Sequence, residues 1–192
     1  MHIAAYIVLA LAFGISNMLL FCRCAEATPI RLSRGLVLTL ATAALQTIMF
    51  ILGMLAGDIL RFELPDSTDA FTKANALIFF GLYIIVILRM LKPYLRKEPR
   101  LPLFNLGSNK VAIALALTAA VNPLFLGLGA GFVASVADMH MVWLALILIP
   151  LWLAGYWGLM LGRQKVAIRP RRWMIVASIL MLGVGIAALV NA

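Results

Sequence analysis

Charge is what this sequence has least of. Only 12% of its 192 residues are charged, while 65% are hydrophobic and the mean hydropathy is +1.07. Soluble domains carry about a quarter of their residues as Asp, Glu, Lys or Arg, so an ordinary soluble domain is excluded and a polytopic membrane protein is implied. Acidic residues are the scarcest: seven in all, none inside a long apolar run. Cysteine occurs twice, as Cys22 and Cys24, too close together to suggest a disulfide framework. Histidine also occurs twice, and no nucleophile–base pair, phosphate loop or zinc spacing is present. The chain is therefore not expected to be an enzyme or to hold a cofactor. A basic segment ahead of the first apolar run is missing too, so that run reads as a retained helix and not as a cleaved leader.

Apolar runs are what the sequence has in abundance. Six spans can be drawn: Ile3 to Cys22, Gly35 to Gly57, Ala74 to Met90, Val111 to Val136, Met141 to Gly162 and Trp173 to Val190. Each is of the order of the ~20 residues that cross a bilayer. The expected fold is all-α, a polytopic membrane protein with six transmembrane helices in two inverted three-helix repeats. Residues 1–91 form the first repeat, 92–110 a basic cytoplasmic connection, and 111–192 the second repeat.

The net charge of +9 would point to nucleic acid in a soluble chain. Here 14 of the 16 basic residues fall in the first, third and fifth connections, while the second holds Asp58, Glu63, Asp66 and Asp69. Orientation accounts for this sorting without any nucleic acid. Basic loops stay in the cytoplasm, which places both termini outside an inner (plasma) membrane. The expected partners are the bilayer and a small solute or metal ion, with a homo-oligomer left open.

The halves resemble each other. Leu9-Ala-Leu11 matches Leu115-Ala-Leu117, and Gly53-Met-Leu-Ala-Gly57 closes span two as Gly158-Leu-Met-Leu-Gly162 closes span five. With three spans per half, the second half enters the membrane upside down, as in many transporters.

The organising stretch is Thr118-Ala-Ala-Val-Asn122-Pro123-Leu-Phe-Leu-Gly127-Leu-Gly129-Ala-Gly131. Pro123 has no N–H, which leaves the carbonyl of Ala119 in need of a new partner. Broken backbone at membrane depth is tolerated only when buried in protein or lining a wet cavity. Two readings stay open. In one, Asn122 marks a midplane binding site. In the other, it ties helices together while Gly127 and Gly131 admit a close neighbour.

Polar residues inside the spans are few. A two-fold axis in the membrane plane would bring Asn17 and Asn122 together near the centre, with Ser16 beside them and Gln46 from span two nearby. Such neutral oxygens are candidate ligands for a hard cation, which normally also takes a carboxylate. Structural amide bonds are the alternative. Cys22 and Cys24 with Met18, Met49 and Met54 could be read as a soft-metal entry site, and Asp138 with His140 as a surface one; ordinary filling and solvated loop residues explain both sets better.

Four local matches resemble the MntP-type manganese efflux pumps of the LysE-like exporter superfamily. They are Leu11-Ala-Phe13-Gly14-Ile-Ser16 in span one, Gln46 ahead of Gly53, Leu88-Arg89-Met90 closing span three, and Asn122 ahead of Gly127-Leu-Gly129. The resemblance implies secondary export of a divalent cation, manganese, by alternating access, with ligands at Asn17 (or Met18), Gln46 and Asn122 and with Ser16 adjacent. The departures fall on those positions. Where the family has acidic side chains, this chain has amides, and Pro93 stands where a further glutamate is expected.

Overall fold

The computed structural model describes residues 3–27, 30–61, 69–95, 107–134 and 141–190. They form six helices and no strand: α1 Ile3–Ala27, α2 Leu32–Leu60, α3 Asp69–Leu95, α4 Asn109–Val133, α5 Met141–Arg163 and α6 Pro170–Val190. All six are long and apolar enough to cross a membrane. The protein is an all-α, multi-pass membrane protein.

Each helix buries one stripe and turns the rest outward. In α6 the buried residues are Met174, Ala177, Met181 and Val184, at the three- and four-residue spacing of one helix face. Its exposed residues, Ile175, Val176, Ile179 and Ile186, are equally apolar and suit contact with lipid. In α3 the stripe is Ala76, Phe79, Tyr83, Val86, Ile87 and Met90, with Leu77, Ile85 and Leu88 outward.

The principal pairings are α2 with α4, α1 with α5, α3 with α6, α3 with α4, α1 with α6 and α2 with α5. Every one joins a helix of the first three to a helix of the last three. In sequence around the molecule they close a ring, α1–α5–α2–α4–α3–α6, back to α1. The two halves are thus interleaved and contribute to one core.

The two closest pairings are made by glycine. A side chain on Gly53 would strike the carbonyl of Leu124, and one on Gly57 the carbonyl of Leu128. Gly127 and Gly131 return the contact against the carbonyls of Phe50 and Met54, so α2 and α4 touch backbone to backbone, as small-residue faces allow. In the other pair, Gly158 faces the carbonyl of Met18 and Gly162 that of Cys22. Residue numbers rise together across both contacts, so α2 runs parallel to α4 and α1 parallel to α5. Arg34 agrees: from the start of α2 it donates to Gly107 O (2.8 Å) and Asn109 Oδ1 (2.7 Å) at the start of α4.

The two interfaces correspond one to one. Gly53 answers to Gly158, Gly57 to Gly162, Leu124 to Met18 and Leu128 to Cys22. Exchanging first and second halves leaves the ring of pairings unchanged. Carried along α1 and α4, the same register makes Ser16 the equivalent of Asn122, Asn17 of Pro123 and Phe13 of Ala119.

Some boundaries differ from expectation. The third helix passes Lys92 and includes Pro93, so three prolines, not two, lie within helices. Pro93 is near the end, and the one bond it cannot donate would have gone to the carbonyl of Arg89 in the last turns of the helix. Pro170 is the first residue of α6, a position where its missing N–H costs nothing. Glu63, Asp66, Arg96, Lys97, Arg100, Asp138 and His140 lie outside the described residues.

Candidate functional site

The expected polar residues converge inside the ring. Asn17, on α1, is 2% exposed, and Gln46, on α2, is also 2% exposed. Their amides exchange two hydrogen bonds: Asn17 Nδ2 donates to Gln46 Oε1 at 2.7 Å, and Gln46 Nε2 donates to Asn17 Oδ1 at 2.9 Å. The second proton of Gln46 Nε2 points to the carbonyl of Ala119 at 3.4 Å. That carbonyl is the one Pro123 leaves without its helical donor, so a glutamine from α2 repairs the break in α4. Asn17 Nδ2 likewise reaches the carbonyl of Leu151 on α5 at 3.5 Å. Four helices are stitched at one level by two side chains.

Asn122 does not join this pair. Its Oδ1 is buried and has no hydrogen-bond partner among the described residues. An acceptor left in that condition costs about 1–3 kcal/mol, so the position calls for a donor. The expected meeting of Asn17 with Asn122 is replaced by Asn17 with Gln46, because the inter-half register sets Asn122 against Ser16 and not against Asn17. Asn17 bonds Gln46 in the interior, while Met18 lends its carbonyl to the α5 contact.

All four candidates, Ser16, Asn17, Gln46 and Asn122, line one cavity of about 250 Å³. Its floor holds two equivalent pairs, Ser16 with Asn122 and Phe13 with Ala119, so it reaches the level where the halves meet. From there it extends past Leu115 and Thr118 to Arg23, Arg89, Pro93 and Tyr94, at the C-terminal ends of α1 and α3. Arg89 and Pro93 are exposed, which opens the cavity at that end. Among the described residues the other end is packed: Gly129, the equivalent of Arg23, is buried under Phe79 and Tyr83, and Ala12, the equivalent of Thr118, is buried.

Among the described residues, two guanidinium groups and no carboxylate line the cavity. Arg23 shares an exposed pair with Glu26, 3.4 Å away, of the kind that contributes little. No group of three or more His, Cys, Asp or Glu residues able to hold a metal ion occurs among the described residues. Cys22 and Cys24 are buried and not joined in a disulfide, and of the two Cys24 lines the cavity. The two arginines were not among the candidates singled out from sequence. Their membership in the basic connections made orientation a sufficient reason for them, and only the fold turns them toward the cavity.

Comparison of the chain with family models, curated proteins and solved structures gives no match.

Proposed function

We propose that this membrane protein is a secondary transporter that exports a small solute, and that its halves form an inverted repeat working by alternating access. One observation carries the reading: a cavity open at one end has its floor at the level where equivalent residues of the two halves meet, and its mirror positions at the other end are packed shut. In an inverted repeat, each half can adopt the conformation of the other, which closes the first entrance and opens the second. The open end belongs to the basic side, which the positive-inside rule assigns to the cytoplasm of the inner membrane, so the solute loads from inside. The amide pair of Asn17 and Gln46 holds α1, α2, α4 and α5 at the floor, and the kink at Pro123 gives Asn122 its place there.

Manganese is the cargo that the resemblance implies. Among the described residues it would meet amide and hydroxyl oxygens with no carboxylate, behind two arginines, and a dehydrated divalent ion is costly in such a place. The donor set supports a solute other than a divalent cation on the same scaffold.

The experiment uses single cysteines in a chain with Cys22 and Cys24 replaced by Ala. Thr118→Cys lies on the cavity wall, and Ala12→Cys is its equivalent on the closed side. A membrane-impermeant maleimide should label Thr118→Cys only from the cytoplasmic face of oriented vesicles. Ala12→Cys should become labelled from the opposite face in cells. Should Ala12→Cys stay unreactive from that face in cells and in vesicles, the transport reading fails and a fixed scaffold remains.

A further inference from the structure

The cavity's chemistry narrows the solute class, an inference that rests on the transporter reading but is tested separately from it. We propose that the site takes a small organic anion that also carries a hydrogen-bond donor. Three observations converge on this class. The mouth presents Arg23 and Arg89, and among the described residues Arg89 has no acidic partner. At the floor Asn122 lines the cavity, and its Oδ1 is a buried acceptor with no donor among the described residues. Between them the wall is apolar, with Phe13, Leu19, Leu115 and Met174.

Each feature selects against a competitor. A cation is repelled at the mouth by two guanidiniums and, among the described residues, finds no carboxylate in the lining. A neutral apolar molecule leaves both arginines unused and Asn122 unsatisfied. An anion without a donor satisfies the arginines and still leaves the floor oxygen bare. A guanidinium fork matches a carboxylate or phosphate in shape as well as charge. A cleft lined by one sign of charge also raises the local concentration of the opposite sign. The volume of about 250 Å³ is below the roughly 300–1,000 Å³ of sites for drug-sized ligands, so the anion is small.

The coupling follows from the same lining. Among the described residues no Asp, Glu or His lines the cavity to carry a proton. An anion needs none, since a membrane potential negative on the cytoplasmic side drives it outward.

The same chemistry could come from a free solute or from the headgroup of an anionic lipid, and the test separates them. Purified protein in phosphatidylcholine nanodiscs is heated with lactate, hydroxybutyrate or phenyllactate. Parallel samples contain phenyllactate methyl ester, phenylpropionate or manganese chloride. At least one hydroxy acid should raise Tm in a saturable way, with the ester and manganese inert and phenylpropionate weaker. Arg23→Gln with Arg89→Gln should weaken the apparent affinity by roughly tenfold or more. Asn122→Leu should remove the advantage of the hydroxy acid over phenylpropionate. Arg163→Gln with Arg172→Gln removes the same charge from the same side but not from the cavity, and should leave the response intact.

Failure of all three hydroxy acids to shift Tm overturns the proposal. So does an equal response to the ester or to manganese, or an unchanged response in the Arg23/Arg89 variant. If phosphatidylglycerol stabilises the wild type through the same two arginines and blocks phenyllactate, the occupant is a lipid headgroup and the free-solute form is overturned. Cysteine labelling that succeeds while no anion binds condemns the solute class alone. Anion binding without labelling of Ala12→Cys condemns transport alone.

Discussion

The α2·α4 and α1·α5 interfaces solve one packing problem with opposite residues. At the crossing of α2 and α4, Gly127 lies against the backbone at Phe50. At the equivalent crossing of α1 and α5, Phe21 stands where Gly127 stood and Gly155 where Phe50 stood, with the Phe21 ring 3.2 Å from where a Gly155 side chain would begin. The large and small partners have traded helices. A close crossing requires that one side be small, and either side will serve. The difference lies in what the glycine faces. Gly127 faces a carbonyl that cannot move without moving a helix, whereas Gly155 faces a ring that can turn.

The largest expected effect tests that contrast directly. Gly127→Ala places a methyl group against the carbonyl of Phe50 and should cost about 3 kcal/mol, at the upper end of overpacking. Gly155→Ala meets a ring edge and, at ordinary contact distance, Thr39 Cβ, and the better helix propensity of Ala returns about 1 kcal/mol, so its net effect should be near zero. Unfolding titrations in detergent measure both, with Gly183→Ala as a control because nothing lies within 4 Å of its position. Equal losses at Gly127 and Gly155 would break the comparison.

This exchange also explains how much of the fold could be read in the sequence. The six spans were legible because a bilayer demands ~20 apolar residues from any helix that crosses it. The pairs Gly53/Gly57 and Gly158/Gly162 were legible because both interfaces need a glycine there. The rest of the correspondence was hidden: Phe21 against Gly127 and Phe50 against Gly155 look unrelated until packing shows that they occupy equivalent places. The ring could not be read either, since its principal pairings join residues far apart in the chain.

The candidate site was half legible. Asn17, Gln46 and Asn122 stood out because amides are rare in apolar spans, and the bond needed by Ala119 followed from Pro123. Which amide would find which was not legible, because the register is set by glycine contacts on other faces of the same helices. Arg23 and Arg89 were visible as charges but not as cavity residues. A basic loop residue and a basic cavity residue look alike in sequence when the cavity opens toward the loop.

A second contrast lies within the floor. Asn17 and Gln46 are saturated by each other, while Asn122 keeps a free acceptor. Replacing either member of the pair strands the other, so Asn17→Leu and Gln46→Leu should each cost about 1–2 kcal/mol, between the soluble and membrane values for such bonds. Gln46→Leu should be the worse, since it also abandons the Ala119 carbonyl. The double variant should lose clearly less than the sum of the two. Strict additivity in a double-mutant cycle would mean that the two amides do not bond. Asn122→Leu should be neutral or slightly stabilising by the same measurement, because it removes an acceptor that nothing satisfies.

The smallest expected effect concerns manganese. If the floor were a cation site short of one charge, Asn122→Asp would supply the carboxylate that the resembling pumps have at this position, and a manganese-sensitive host should then gain tolerance. The arrangement argues for the reverse. An aspartate beside the neutral pair, deep in the cavity, would take up a proton in preference to burying a charge, and a neutral acid offers a divalent ion little. Wild type, Asn122→Asp and Asn122→Ala, expressed at matched levels, should therefore all leave manganese tolerance unchanged. Protection by wild type that Asn122→Ala abolishes would restore the amide as a working metal ligand. It would also overturn the anion proposal, since the same floor oxygen cannot be reserved for a donor on an anion and serve a bare cation.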